Sequence, residues 1–451
     1  MNRKGLKLTV TVLFSLFSLL FMTACVCWPS LPTLVHQGSC GWIQYVAQSG
    51  KQYAAPPPKN YIAYINKGDV WIMDPDGQNK KQLTKTAERE FSLSATYQAE
   101  RIWFVRQNET FTEQKAGDVY SCDYEGKNVK KVTEGVPVTF AAVSVDGKKI
   151  GASVVSAVEQ TAPLSPYQTN DMWLVDAAGK NQGSDSKHVN LTGDLPPSGV
   201  GGREGSTFLT WSPQNDRIAF TFKADGSASL GISTKSVYLA KTDGSGRKKI
   251  IDSCAEPRFN AQGTMLAVTT GAHWDTMGVV QVSVDGEQKD DILPISTGNI
   301  LYSTATPFWL TTYENIKENQ NVIYSKTTHP AAPAEPVNTL EIHRAVTGDT
   351  TVLVTKEGGD KTILNAWSTH LNNGIVFQTG FDASTSSIWS ITAEGKDLKR
   401  LSDSDTAGDS EPTSAVSYSW YNKNNGETSS GTQFQTCHWP YNNNRNWPYQ
   451  K

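Results

Sequence analysis

The chain runs to 451 residues and carries 41 Lys and Arg against 44 Asp and Glu, a formal net charge of −3. The charges are nearly balanced and form no basic stripe beyond the first few residues, so the clustered cationic footprint of nucleic-acid binding is missing and nucleic acid is not an expected partner. Six cysteines and seven histidines show no C-x-x-C pair and no zinc spacing, so no metal, cofactor or catalytic group is expected.

Arg3, Lys4 and Lys7 precede an apolar run from Leu8 to Met22. The run is short for a spanning helix and suits the core of a secretory signal. It ends in Met22-Thr23-Ala24-Cys25, which resembles the lipobox of bacterial lipoproteins. The resemblance implies loss of residues 1–24 as a signal peptide and lipidation of Cys25 with palmitate-class chains. Burial of acyl CH₂ groups, at ~0.8 kcal/mol each, would then hold the chain to a membrane without spanning it. Val26 stands where inner-membrane lipoproteins often carry Asp. That points to the outer membrane of the cell envelope, facing the periplasm or the cell surface.

Residues 25–59 show no sustained periodicity and end in Ala55-Pro56-Pro57-Pro58, a stiff extended spacer. They read as a tether. From residue 60 to 426 the chain repeats itself. One element is a strand, a tight Gly turn and a second strand: DVWIMDPDG from Asp69, DVYSCDYEG from Asp118, DMWLVDAAG from Asp171, SVYLAKTDG from Ser236, GVVQVSVDG from Gly278 and SIWSITAEG from Ser387. A looser copy, TLEIHRAVTG, starts at Thr339. Alternation such as Val70 and Ile72 against Trp71 and Met73 gives a strand two different faces, and the closing Gly supplies the positive φ of a hairpin turn. The second strand often ends in a Leu-Thr-like pair: Leu83-Thr84, Val132-Thr133, Leu191-Thr192 and Leu401-Ser402.

Between these copies lies a second hairpin, clearest in FLTWSPQNDRIAF from Phe208 and repeated from Phe91, Phe140, Pro257, Pro307 and Asn365. Two halves are left over. SAVSYSWYNKNNG from Ser414 looks like a first half and NYIAYINKG from Asn60 like a second half. Joined, they supply the missing inner hairpin. The expected fold is therefore all-β, a seven-bladed β-propeller of four-stranded antiparallel blades closed by N- and C-terminal strands that share one blade, which removes the free sheet edges.

The W-S-P-x-x-x-x-I-A-F hairpin, the aromatic-bearing strand, the D-x-D-G-like turn and the Leu-Thr ending together resemble the repeat of TolB-like propellers. Propeller domains of prolyl-oligopeptidase-type peptidases share it. TolB itself has six blades behind an α/β domain, whereas seven copies follow a short leading segment here. The chain holds no G-x-S-x-G nucleophile elbow, so peptidase activity is not expected. Oligogalacturonate lyases also resemble this repeat and hold a metal through clustered histidines. Here His273, His329 and His370 occupy unlike positions in the repeat and read as solvated loop residues.

Asp74-Pro75-Asp76-Gly77 opens like a calcium loop, but Lys85 stands at its twelfth position, so it reads as a turn. Asp403, Asp405, Asp409 and Glu411 form either a calcium-binding or a solvated acidic loop. Cys40 and Cys437 flank the repeats and are the candidate disulfide, against free thiols. Inserts at 107–117, 156–170, 193–207, 223–235 and 326–338 could carry recognition or be tolerated decoration. The 427–451 tail, rich in Trp, Tyr and Asn, either contacts a sugar or protein or packs on the flank. The function expected is a membrane-anchored, non-catalytic scaffold binding an envelope protein or glycan. The alternative is a lyase-like, polysaccharide-active enzyme working in the propeller channel.

Overall fold

The computed structural model describes 34–36, 43–46, 52–55 and most of Lys59–Ser417; the stretches outside it there are 97–99, 112–115, 160–166, 180, 183–187, 196–208, 224–234, 261, 274–275, 296–300, 310–320, 330–333, 345–346, 358–361, 369–373, 381–385 and 404–408. The chain divides into two compact units at Pro58.

In the first unit, β1 (Leu34–His36), β2 (Ile43–Val46) and β3 (Gln52–Ala55) form a three-stranded antiparallel sheet. A featureless tether was expected over 25–59. The β-forming residues Ile43, Tyr45, Val46 and Tyr53 account for the strands, in runs too short to show as periodicity.

The second unit repeats one element, a four-stranded antiparallel meander. It opens with β4 (Lys59–Asn66), β5 (Asp69–Met73) and β6 (Lys81–Gln82), followed by β7 (Glu90–Thr96), β8 (Arg101–Gln107), β9 (Gly117–Asp123) and β10 (Lys130–Lys131). Then come β11 (Thr133–Glu134), β12 (Val138–Val143), β13 (Lys149–Glu159), β14 (Tyr167–Asp176), β15 (Asn181–Gln182) and β16 (His188–Asn190), with β11 and β15 a separate parallel pair. The chain continues as β17 (Leu209–Trp211), β18 (Arg217–Lys223), β19 (Lys235–Lys241) and β20 (Lys248–Asp252), then β21 (Cys254–Phe259), β22 (Met265–His273), β23 (Thr276–Ser283) and β24 (Lys289–Leu293). It ends with β25 (Leu301–Trp309), β26 (Val322–His329), β27 (Val337–His343) and β28 (Thr350–Glu357), then β29 (Ile363–Ser368), β30 (Gly374–Thr379), β31 (Ser387–Thr392) and β32 (Lys399–Arg400), and finally β33 (Asp409–Ser417). Among the described residues the one helical turn is a 3-10 turn at Glu109–Phe111.

Strands β17–β20 and β29–β32 are four-stranded sheets. The two larger sheets each split at a single residue pair, Val138 with Gly117 and Thr276 with Tyr302, into two further meanders. The remaining sheet has the order β33-β4-β5-β6. The expected pairing of the two leftover half-hairpins is therefore found. It runs from Asp409 opposite Asn66 to Ser417 opposite Lys59. The closing strand starts at Asp409, earlier than the Ser414 read from the repeat, so Asp409 and Glu411 belong to a strand and not to an acidic loop. Asn66 Nδ2 donates to Asp409 at 2.5 Å across 343 residues.

The two faces of each strand serve different neighbours. Val70 and Ile72 pack with Ile102, Phe104 and Cys122 of the next sheet. Trp71 and Met73, from the same strand, pack with Val376, Ile388 and Leu401 of the β29–β32 sheet. Each further pair of consecutive meanders shares an apolar cluster in the same way, at roughly 1.5–3 kcal/mol per fully buried large side chain. The opening strands touch in chain order, β7 with β12, then β17, β21, β25 and β29, and β33 contacts both β29 and β7.

The Leu-Thr ending is a clamp on strand three of four meanders. The apolar member donates its N–H to the carbonyl of Val70, Val119, Met172 or Ile388, at 2.8–2.9 Å. The hydroxyl of Thr84, Thr133, Thr192 or Ser402 accepts the N–H of that same residue, at 2.8, 2.8, 3.0 and 2.7 Å. In the SVYLAKTDG copy the roles reverse: Ser236 Oγ donates to Asp252 at 2.6 Å. The turn glycines sit against the preceding meander. A Cβ on Gly126 would lie 2.4 Å from the Leu83 carbonyl, and one on Gly77 3.1 Å from Leu401 Cα.

Candidate functional site

The opening strands are where the repeat departs from regular pairing. Five of them shift register at equivalent places: Phe91 to Ser94, Ala255 to Arg258, Ala305 to Phe308, Leu364 to Trp367 and Ser410 to Thr413. Each shift is a β-bulge, a feature that re-aims side chains and gathers near binding sites. The first residue inside each bulge is polar: Ser92, Glu256, Thr306, Asn365 and Glu411. The second is apolar: Leu93, Pro257, Pro307, Ala366 and Pro412. Proline is tolerated because the bulge frees its position from the ladder. Pro257, Pro307 and Ala366 are buried, whereas Ser92 and Glu256 keep partial exposure.

Ser92 and Glu256 adopt φ of +54° and +53°, a conformation side-chain-bearing residues seldom take. Contacts to the neighbouring sheet hold both. Ser92 Oγ accepts from Ala141 N at 2.8 Å and donates to its carbonyl at 3.2 Å. Glu256 N donates to Thr221 Oγ1 at 3.2 Å. Further caps follow along these strands, Ser94 Oγ on Val143 N at 3.1 Å and Trp211 Nε1 on the Ala142 carbonyl at 2.8 Å. Arg258, two residues beyond Glu256, keeps part of its side chain in solvent. Crowding by protein pulls its guanidinium down to about 10, against the pull of Glu256 in the other direction. The arrangement can donate and accept hydrogen bonds at close range; among the described residues it shows no nucleophile–base pair.

Of the bulge residues the sequence reading singled out Glu411 alone, as one acid of a loop. A signal existed: Ala255-Glu256-Pro257-Arg258, Ala305-Thr306-Pro307-Phe308 and Ser410-Glu411-Pro412-Thr413 align as small or hydroxyl, polar, Pro, variable.

The second candidate surface is an edge of the sheets. Links from strand two to three and from strand four to the next meander lie at one edge of an antiparallel meander, and the other links at the opposite edge. All five long inserts belong to the first class. That edge is stiffened by a buried network: Arg106 Nε and Nη2 donate to Glu90 Oε1 at 3.0 and 2.7 Å, while Val70 N and Thr84 Oγ1 donate to its Oε2. Asp118 is held there by Lys131 at 3.2 Å and Asn108 at 3.1 Å.

Among the described residues the histidines form no metal-holding group. His188 stacks on Trp173 with centroids 3.6 Å apart, and His343 Nδ1 meets Thr350 Oγ1 at 3.1 Å with burial lowering its pKa. His329 closes β26 and His273 closes β22; His370 and His438 lie outside the described residues. Among the described residues no group of His, Cys, Asp or Glu could hold a metal. Of the acidic set, Asp403 pairs with Lys80 and Asp409 with Asn66; Asp405 lies outside the described residues. Cys122 and Cys254 are buried free thiols, pushed up to about 12 and about 11 by that burial. The lipidation site Cys25 and the candidate disulfide Cys40–Cys437 lie outside the described residues. No helix among the described residues is long and apolar enough to cross a membrane.

No protein-family model and no curated protein matches the chain. Solved structures do. A puromycin-hydrolyzing peptidase of Mycobacterium tuberculosis is 13% identical, with a TM-score of 0.51, over 82% of this chain and 53% of its own. The chain spans about half of that peptidase's length, and the likeness is one of fold. An oligogalacturonate lyase in complex with manganese is 10% identical over 76% of this chain and 85% of its own, at a TM-score of 0.47. TolB from Acinetobacter baumannii is 14% identical over 71% and 77%, at 0.40.

Proposed function

We propose that the meanders are the blades of a seven-bladed β-propeller, closed by β33 and β4, that serves the bacterial cell envelope as a non-catalytic scaffold for a protein or glycan partner. The observation that carries the binding role is the placement of all five inserts at one edge of the sheets, opposite mostly tight Gly turns. Loops on a rigid frame are where recognition concentrates. The succession of opening-strand contacts that returns from β29 through β33 to β7 supports the ring. On this reading lipidated Cys25 anchors the scaffold to the outer membrane, and nucleic acid is no partner.

Cross-linking in intact envelopes, followed by purification of the chain, tests the role, with the pure protein assayed in parallel for metal and sugar turnover. A cross-linked partner without turnover is the expected result. Stoichiometric metal with sugar turnover and no partner would replace the scaffold with a polysaccharide-active enzyme. Cys25→Ser should move the chain out of the membrane fraction and abolish lipid labelling; unchanged fractionation would refute the anchor.

A further inference from the structure

We infer that β28 is the docking edge for a second copy of this chain, whose own β28 lies alongside it in antiparallel sense and joins the two sheets edge to edge. The inference needs only the meander and stands apart from the ring and its function. β28 pairs with β27 from His343 opposite Thr350 to Val337 opposite Glu357, and among the described residues no strand lies on its other side. Such an outer side presents a row of main-chain N–H and C=O groups, a template for a further strand.

Proteins blunt these edges with charged side chains or by keeping the strand short. The outer strands of the other meanders follow that rule. β6, β10 and β32 have two residues each and carry Lys81, Lys130 with Lys131, and Lys399 with Arg400. β20 carries Lys248 and Lys249, β24 carries Lys289, Asp290 and Asp291, and β16 stops after three residues. β28 does neither. It is the longest of the outer strands, at eight residues, and Thr350-Thr351-Val352-Leu353-Val354-Thr355 holds no charge and no proline. Thr350, Thr351, Val352 and Thr355 are exposed. Val352, at 52%, is the most exposed large apolar side chain among the described residues. Leu353 and Val354 both turn into the core shared with β29–β32, through a register shift that β20 and β24 also show. The shift therefore belongs to the repeat, and the missing charge is what sets β28 apart.

The occupant is a second copy because the edge suits itself. All of these edge residues but Leu353 are β-branched, the type that packs best on a pleated surface. Two such strands set antiparallel bring no like charges together, whereas β10 or β32 paired with itself would set cation against cation. At the ends, Asp349 of each copy meets Lys356 and Glu357 of the other, which sum to zero charge. An antiparallel self-pair is a two-fold contact that closes on itself. An edge this short falls far below the roughly 20–30 residues a side of a tight interface, so the dimer is weak and reversible.

The test is sedimentation velocity on the full chain in density-matched detergent, from about 1 to about 200 μM, where a weak contact of this kind shows. Wild type should pass from one chain to two per particle as its concentration rises. Val352→Lys should raise the dimer dissociation constant at least about ten-fold, at an unchanged melting temperature, and Thr355→Lys, likewise exposed, should act in the same direction. Leu398→Lys, at an exposed apolar position beside β32, should dimerise as wild type. Hydrogen exchange read by mass spectrometry locates the contact: amides of 350–355 should slow in the dimer and quicken in Val352→Lys, while those of Lys130 and Lys131 should not respond. The inference is overturned if wild type stays a monomer throughout, if Val352→Lys and Thr355→Lys dimerise as wild type, or if 350–355 is protected by a chain of another sequence.

Discussion

Arg106 places two guanidinium nitrogens on a single oxygen of Glu90, at 3.0 and 2.7 Å, and the carboxylate it meets has no solvent exposure. The pair spans β7 and β8, and the second carboxylate oxygen takes Val70 N of the preceding sheet at 3.1 Å. One side chain thus ties two meanders together. Glu90→Ala leaves Arg106 without its acid and should cost about 3–5 kcal/mol, the usual result of breaking a buried pair from one side. Urea unfolding would show it. A loss under 1 kcal/mol would mean that the network is decorative.

Burial raises the pKa of Glu90 from 4.5 despite the hydrogen bonds from Thr84 and Arg106. A raised folded-state pKa means that the folded chain holds this proton more tightly than the unfolded chain. The stability so contributed is complete below about 4.5 and is lost as pH rises through the folded value. Wild type should therefore lose stability relative to Glu90→Gln as pH rises above that point. A difference that is flat between pH 4 and 7 would contradict the assignment.

The Leu-Thr clamp makes a sharper prediction. Thr192→Val keeps the shape but removes the acceptor of Met172 N, a residue with no exposure. An orphaned buried N–H costs about 1–3 kcal/mol. Thermal unfolding should register that loss, and Ser236→Ala should behave similarly although the hydroxyl there is the donor.

Two glycines of similar φ should respond differently to Ala. Gly135, at +67°, has open space around a Cβ, whereas Gly126, at +75°, would place one 2.4 Å from the Leu83 carbonyl. Gly135→Ala carries the left-handed cost alone, about 1–2 kcal/mol. Gly126→Ala adds overpacking of about 1–3 kcal/mol. Equal losses would show that the turn does not press on the preceding sheet.

Iodoacetamide at pH 8 should leave Cys122 and Cys254 unlabelled in the folded protein and modify both after denaturation, because neither buried thiol forms thiolate at that pH. Mass mapping of the peptides that contain them reads the outcome.

How much of this was legible in the sequence depends on how far the determining residues sit from one another. The outer hairpins were plain because Asp69 to Gly77 and its copies carry strand, turn and Gly in nine residues. Pairing of β33 with β4 was legible because each half lacked its partner. Its start was misplaced, since Asp409 and Glu411 look like loop acids until Asn66 is opposite. The bulge positions went unread because their shared property is polarity alone, with Ser, Glu, Thr and Asn in one place. The Glu90 network and the β1–β3 sheet left no pattern at all, the first because its members come from three strands and the second because its strands are three or four residues long.

The union of β33 with β4 also orders events in time. β4 is made first and its partner last, with Asn66 and Asp409 separated by 343 positions. Until the final strand leaves the ribosome the first sheet has an empty place beside β4, and non-local pairing of this span is slow to form. Until then the main-chain groups of β4 on that side lack their partner strand, so one of the last strands made completes the sheet to which β4 belongs.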